Sequence, residues 1–281
     1  MVWRIVELGT GALMQNIICF SSDFGLEDTW VGVCHAVIHE ACPHSRIVNL
    51  SHLIPAFDIR KGAAVAAAGV YQLPEAIHLV VVDPGVGGSR ADLCLVCESG
   101  TRLVGPDNGV LIPASRRAGG VECAIAIDSD KIDFRSPLAT FHARDVMAPA
   151  AAALACGVEP SSLGHPVDPA GLTPGPFGPC VQEGSHVKAE VVDIDRFGSI
   201  RIGITDEELG EFGFDRGTLE LGFGHVVIEV PFRETFSDVG EGEPVALLDS
   251  SGWLTLALRT DSAADRYGIE PGDAARVRSA G

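Results

Sequence analysis

The run Ile77-His78-Leu79-Val80-Val81-Val82, followed directly by Asp83-Pro84-Gly85-Val86-Gly87-Gly88-Ser89-Arg90, decides the fold class. A short, nearly continuous apolar stretch suits a strand buried on both faces, as in a parallel sheet covered by helices. The switch to Asp, Pro and Gly marks that strand's carboxyl end, where open α/β sheets bind ligands.

The same alternation extends to both sides. Ile17 to Ser21 reads as a strand and Trp30 to Ala41 as a helix. Arg46 to Leu50 reads as a second strand and the alanine-rich Ile59 to Gln72 as a second helix. Leu93 to Cys97 and Arg102 to Val104 are strand-like, and Val146 to Cys156 is another alanine-rich helix. Strands alternating with helices predict an α/β domain with a largely parallel, Rossmann-like sheet over residues 16–170. Residues 171–181 lie in a Pro/Gly-rich stretch of linker composition. Beyond it, residues 182–281 hold short β-like segments separated by turns, which predicts a smaller all-β barrel.

The 281 residues carry a formal charge of −18, with 46% hydrophobic and 21% charged residues. This is a globular composition, and a field of that sign repels nucleic acid. No apolar run reaches the roughly 18 residues of a membrane span. Met1 to Gln15 lacks the apolar centre of a signal peptide, so a cytoplasmic location is expected, with the first dozen residues a ragged extension. Most of the eight cysteines sit among small or apolar residues, as buried thiols in a reducing compartment do. Cys94-Leu95-Val96-Cys97 has neither a second pair nor a nearby His, so it reads as strand rather than as a zinc site.

Three acid-glycine clusters fall in one half of the chain: Ser22-Asp23-Phe24-Gly25, Asp83 to Gly88, and Gly105-Pro106-Asp107-Asn108-Gly109. Each alone reads more readily as a turn; together they favour a site. The second cluster is neither a phosphate loop nor a dinucleotide fingerprint, and its leading Asp would repel phosphate. Its glycines permit close backbone approach to a neutral or cationic group. A fourth motif, Thr140-Phe141-His142-Ala143-Arg144-Asp145, precedes the last helix of this half.

In this order and combination the four motifs resemble the S-adenosylmethionine (SAM) hydroxide adenosyltransferase family, whose relatives include the SAM-dependent fluorinase and chlorinase. The resemblance runs from about Ile17 to Val277. It implies a Rossmann-like N-terminal domain, a C-terminal β-barrel and a homotrimer, with SAM held between the N-domain of one subunit and the C-domain of its neighbour. It places the family's catalytic Asp-Arg-His set on Asp83, Arg90 and His142. Asp23 matches the residue holding the ribose hydroxyls, Asp28 one near the methionine moiety, and Phe57 an aromatic against ribose and adenine. Asp107, Asn108 and Phe141 fall within the matched motifs and are counted with the substrate-binding set. In the second domain Asp195-Arg196-Phe197-Gly198-Ser199 matches an adenine-stacking segment, and Ser250-Ser251-Gly252 an adenine-edge segment. Ala143 replaces a usual Gly, which hints at a tighter nucleophile pocket. Ser199 and Ser262 each replace Asn, with less reach and one fewer amide donor.

The chemistry implied is displacement of methionine from C5′ of SAM by water. The sulfonium leaves as a neutral thioether, so no general acid is needed. Water is the weak partner, with a pKa of about 15.7, and needs a base and a fixed line of attack. His142 with Asp83 would orient it, and Arg90 would steady the developing charge. SAM is then the substrate, with no further cofactor and no metal. The alternatives are a SAM-dependent halogenase and a non-catalytic SAM sensor; a nucleotide hydrolase is disfavoured by the missing phosphate loop. Halogenating relatives carry Tyr where this chain has His142, which argues for water.

Overall fold

A computed structural model describes residues 16–131 and 140–280. The ragged extension expected over the first dozen residues lies outside them. The chain divides into two compact units, with the division between Pro176 and Phe177, inside the Pro/Gly-rich stretch.

The first unit opens with β1 (Ile17–Ser22), α1 (Trp30–Ala41), β2 (Arg46–Ser51), α2 (Ile59–Gln72) and β3 (Ile77–Val81). It continues with β4 (Asp92–Cys97), β5 (Arg102–Pro106), α3 (Ile112–Arg117), β6 (Val121–Ile127), α4 (Ala148–Ala155) and β7 (Gly164–Val167). α2 and α4 form in alanine-rich stretches, and Asp58 caps α2 by accepting from the Lys61 backbone N–H at 2.8 Å. The sheet order is β2-β1-β3-β5-β4-β6-β7.

Only half of this sheet matches the largely parallel expectation. The β2-β1-β3-β5 pairings are parallel, whereas β4 runs antiparallel to both β5 and β6, and β6 to β7. The reason is loop length. Only residues 98–101 join β4 to β5, enough for a hairpin and too few for a crossover helix. Alternate residues of β3 divide the core: Ile77, Leu79 and Val81 pack into the cluster shared with α1 and α4, while His78 lies beside Gly69 of α2.

β3 is fully buried along its length, as its apolar run requires, and its end delivers Asp83. Cys94 and Cys97 are buried in β4, and burial pushes both thiols up to about 12. Cys42, at the end of α1, and Cys156, at the end of α4, form a disulfide with Cα atoms 5.8 Å apart. For these two residues the expectation of buried thiols is corrected to a disulfide.

The second unit contains β8 (Val181–Glu183), β9 (His186–Ile194), β10 (Ile200–Thr205), α5 (Asp206–Glu211), β11 (Gly217–Phe223) and β12 (Val226–Phe232). It ends with β13 (Pro244–Leu248), β14 (Trp253–Leu258), α6 (Ala263–Tyr267) and β15 (Ala274–Ser279). The order β10-β14-β13-β12-β11-β15-β9 closes through a β9–β10 pairing, making a seven-stranded barrel with β8 appended to β9. Its interior holds alternate apolar residues of the strands, including Val191, Ile202, Leu219, Leu221 and Leu256.

Gly105 lies in β5, one residue past its paired register with β3. A Cβ there would fall on the Val80 carbonyl oxygen and 3.0 Å from Leu111 Cδ2. Backbone cannot yield as a side-chain tip can. Gly105→Ala is therefore expected to destabilise the protein by about 3 kcal/mol, read as a lower urea midpoint.

Candidate active site

At the carboxyl ends of the parallel strands a cavity of about 550 Å³ opens in the first unit. Its wall brings together Asp23 and Phe24 after β1, Phe57 before α2, Asp83 and Val86 after β3, and Thr140 to Arg144. Five of the expected residues, Asp23, Phe57, Asp83, Phe141 and His142, thus converge on one space.

Behind that wall lies a compact charged group. Arg90 Nε donates to Asp83 Oδ1 at 3.0 Å and Arg90 Nη2 to Asp83 Oδ2 at 2.5 Å, a bidentate pair. Arg90 Nη1 donates to Asp92 Oδ1. The second oxygen of Asp92 lies 2.8 Å from His142 Nδ1. The side chains of Asp83, Asp92 and Arg90 are 5%, 8% and 11% exposed, so these charges are satisfied by one another rather than by water.

Two features differ from the sequence reading. The direct partner of His142 is Asp92 rather than Asp83, with Arg90 bridging the two carboxylates. Arg90 and Asp92 also lie outside the cavity wall. Asp92 opens a strand-like segment and carries no motif glycine, so its sequence context hides it. The available signal was its place two residues after Arg90, at the mouth of β4.

His142 is followed by a π-helical turn, Ala143–Met147, that leads into α4. Such a turn widens the helix locally and is common at functional positions. Ala143 is buried and lines the cavity. Phe141 meets Phe24 edge-on at 5.6 Å, and Phe24 meets Trp30 at 6.0 Å. Phe24, within the first motif, and Trp30, which opens α1, also belong to the wall, although neither is among the expected site residues.

Asp23 accepts the Phe57 backbone N–H on Oδ2 at 2.8 Å. Phe57 has φ 69°, a costly conformation for a bulky residue, and its side chain is 71% exposed. The Asp23 bond holds that backbone and leaves Oδ1 for another donor. Asp28 is exposed and outside the wall. Asp107 and Asn108 also lie outside it and tie the chain together. Asp107 accepts the Thr173 N–H at 2.9 Å, and Asn108 donates to the Val82 carbonyl at 2.8 Å.

In the second unit the expected residues form their own group. Asp195, Phe197, Ser199, Ser250 and Ser262 line a cavity of about 920 Å³ in the barrel domain. Asp195 Oδ1 accepts the N–H groups of Phe197 and Ser199 at 2.8 and 2.9 Å, leaving the Phe197 ring 77% exposed. Ser262 caps α6, accepting the Asp265 N–H at 3.1 Å. Ser251 is nearly buried, its N–H held by Asp249 Oδ1 at 2.9 Å. Among the described residues, no group of three His, Cys, Asp or Glu side chains is arranged to hold a metal, and no helix is long and apolar enough to cross a membrane.

Residues 18–164 match the SAM hydroxide adenosyltransferase N-terminal domain, and residues 189–276 match its C-terminal domain. The chain belongs to this family. It is 37% identical to the (R)-S-adenosyl-L-methionine hydrolase of Salinispora tropica, over 92% of this chain and 97% of that one. A fluorinase from Nocardia brasiliensis is 27% identical, over 94% and 97% of the two chains. The crystal structure of a conserved protein from Thermotoga maritima superposes with a TM-score of 0.84 at 29% identity, covering 93% of this chain and all of that one.

The turn after β1 that carries Asp23 depends on an uncharged histidine. His52 sits 2.7 Å from Ser22 Oγ through Nδ1 and 2.9 Å from Asn49 Oδ1 through Nε2, and its ring packs edge-on against Phe20 at 4.6 Å. Burial, and then the neighbouring His35, push its pKa down to about 4. Unfolded, the same ring protonates near 6.5. Its neutral-state stabilisation is therefore complete above pH 6.5 and is lost as pH falls from 6.5 towards 4. We expect chemical denaturation at pH 4.5 to show a loss, relative to pH 7, that shrinks by about 2 kcal/mol in His52→Gln.

Proposed function

We propose that this enzyme hydrolyses SAM to adenosine and L-methionine, and that Asp83, Arg90 and His142 carry the reaction. The observation that supports this most is the coupled carboxylate, guanidinium and imidazole set whose Asp83 and His142 open into the cavity. The S. tropica relative is named for (R)-SAM hydrolysis, and the fluorinase is more distant.

The oxygen of one water attacks C5′ as the C5′–S bond breaks, and its electron pair leaves on sulfur, which becomes the neutral thioether of methionine. His142 accepts the water's proton and later releases it to solvent, so SAM and water give adenosine, methionine and one proton. Asp83, in the same cavity wall, orients the water, and Arg90 fixes both carboxylates by bidentate and bridging bonds. Asp23 Oδ1 takes a ribose hydroxyl while Oδ2 holds the Phe57 backbone, and Phe57 covers the nucleoside. Phe197, Ser199, Ser250, Ser251 and Ser262 serve the adenine end, and Asp28 the methionine end. SAM is the substrate, and no other cofactor takes part. Exclusion of water and in-line placement lower the barrier by up to about 7–11 kcal/mol, which is why positioning groups outnumber reacting ones.

The protein works in the cytoplasm as a homotrimer that shares its sites between subunits. Exposed Leu26, Leu53 and Phe57 near the strand ends suit an apolar contact with another subunit. Six free thiols suit a reducing compartment; the Cys42–Cys156 bridge is the feature, among the described residues, that points the other way.

Purified protein incubated with SAM in ¹⁸O-water is expected to give methionine and adenosine labelled at the 5′ oxygen. His142→Ala should lower kcat by about 100-fold or more while changing SAM affinity little. Formation of 5′-chloro-5′-deoxyadenosine in chloride, in place of adenosine, would establish the halogenase reading instead. Binding without turnover would establish the sensor.

A further inference from the structure

We propose that Asp92 is a positioning residue that fixes the tautomer of His142, so that Nε2 carries the lone pair that receives the proton; this rests on the hydrolase reading above. His142 Nδ1 has two neighbours, Asp92 Oδ2 at 2.8 Å and Arg90 Nη2 at 3.3 Å. They demand opposite tautomers. Arg90 offers only protons and a carboxylate offers only acceptors.

The shorter contact decides. Arg90 Nη2 gives one proton to Asp83 Oδ2 and stands 3.3 Å from Nδ1, the longer of the two approaches. An unprotonated Nδ1 would set a lone pair against the Asp92 carboxylate. With the proton on Nδ1, Asp92 accepts it, and Nε2 is left unprotonated. Among the described residues Nε2 has no protein partner, while His142 lines the cavity with its side chain 22% exposed. The remaining Asp92 oxygen is held by Arg90 Nη1, so the carboxylate cannot rotate away. The carboxylate also balances the imidazolium that forms when water gives up its proton.

Asp92→Asn reverses this pattern. Arg90 Nη1 still needs an acceptor, so the amide oxygen turns to it and the amide NH₂ faces His142 Nδ1. Nδ1 must then accept, the ring proton moves to Nε2, and the base is lost. Nitrogen-15 NMR, with His142 signals assigned by their loss in His142→Gln, should find Nδ1–H in the wild type and Nε2–H in Asp92→Asn. Asp92→Asn should lower kcat by about 100-fold or more with KM for SAM within about threefold. In a His142→Ala background it should cost almost nothing more, because residues acting as one unit are not additive.

A wild-type ring protonated on Nε2, or a ring still protonated on Nδ1 in Asp92→Asn, would overturn the assignment. If Asp92→Asn fails to fold, the wild-type tautomer decides by itself. A wild type that makes no adenosine from SAM would sink the hydrolase reading, while the NMR would still decide whether Asp92 sets the ring.

Discussion

The guanidinium of Arg90 ties together the charged group of the first unit. Its Nε and Nη2 grip Asp83, its Nη1 grips Asp92, and through Asp92 it fixes His142. Two carboxylates this close and this little exposed would repel each other strongly without a cation between them. The planar fork of Arg serves both at once, which the point charge of a Lys cannot do. β3 delivers Asp83, the following turn delivers Arg90, and β4 opens on Asp92. Three consecutive pieces of chain thus supply the charges, and the distant residue 142 supplies the ring they hold.

The path from sequence to fold was clearest where a single physical rule governed. Burial on both faces left β3 no choice but an apolar run, and Ala-rich stretches left α2 and α4 little alternative to helix. Where the outcome turned on pairing, the sequence was mute. The antiparallel turn of β4 and β5 is decided by the short connection 98–101, yet these segments read locally like any other buried strand. Strands β6, β7 and β15 went unread because their residues are mixed or interrupted, as in Ala274-Ala275-Arg276-Val277-Arg278-Ser279. The disulfide joins residues 114 positions apart, and no local pattern announces such a meeting.

The site shows a similar division. Residues in motifs, Asp23, Asp83, Arg90, Phe141 and His142, come together at the strand ends, as the open-sheet rule anticipates. What the motifs did not convey is direction. Asp107 and Asn108 sit in an equally suggestive acid-glycine cluster, yet their side chains are spent on Thr173 and Val82. Asp92 has no motif and makes the closest contact to His142. Turn formers and ligand binders share a composition, and only three-dimensional placement separates them.

Positioning has a visible cost in both units. Phe57 is held at φ 69° by Asp23 with its ring outward, and Phe197 is held outward by the turn that Asp195 caps. A large exposed aromatic gains nothing in folding, and a bulky residue at positive φ loses. Each arrangement is kept by a carboxylate accepting a backbone N–H. The pattern follows from the reaction class. When the leaving group departs neutral and the nucleophile is water, the rate depends on aligning two reactants more than on pushing electrons. Such an enzyme uses backbone strain, exposed rings and the carboxylates that hold them for alignment.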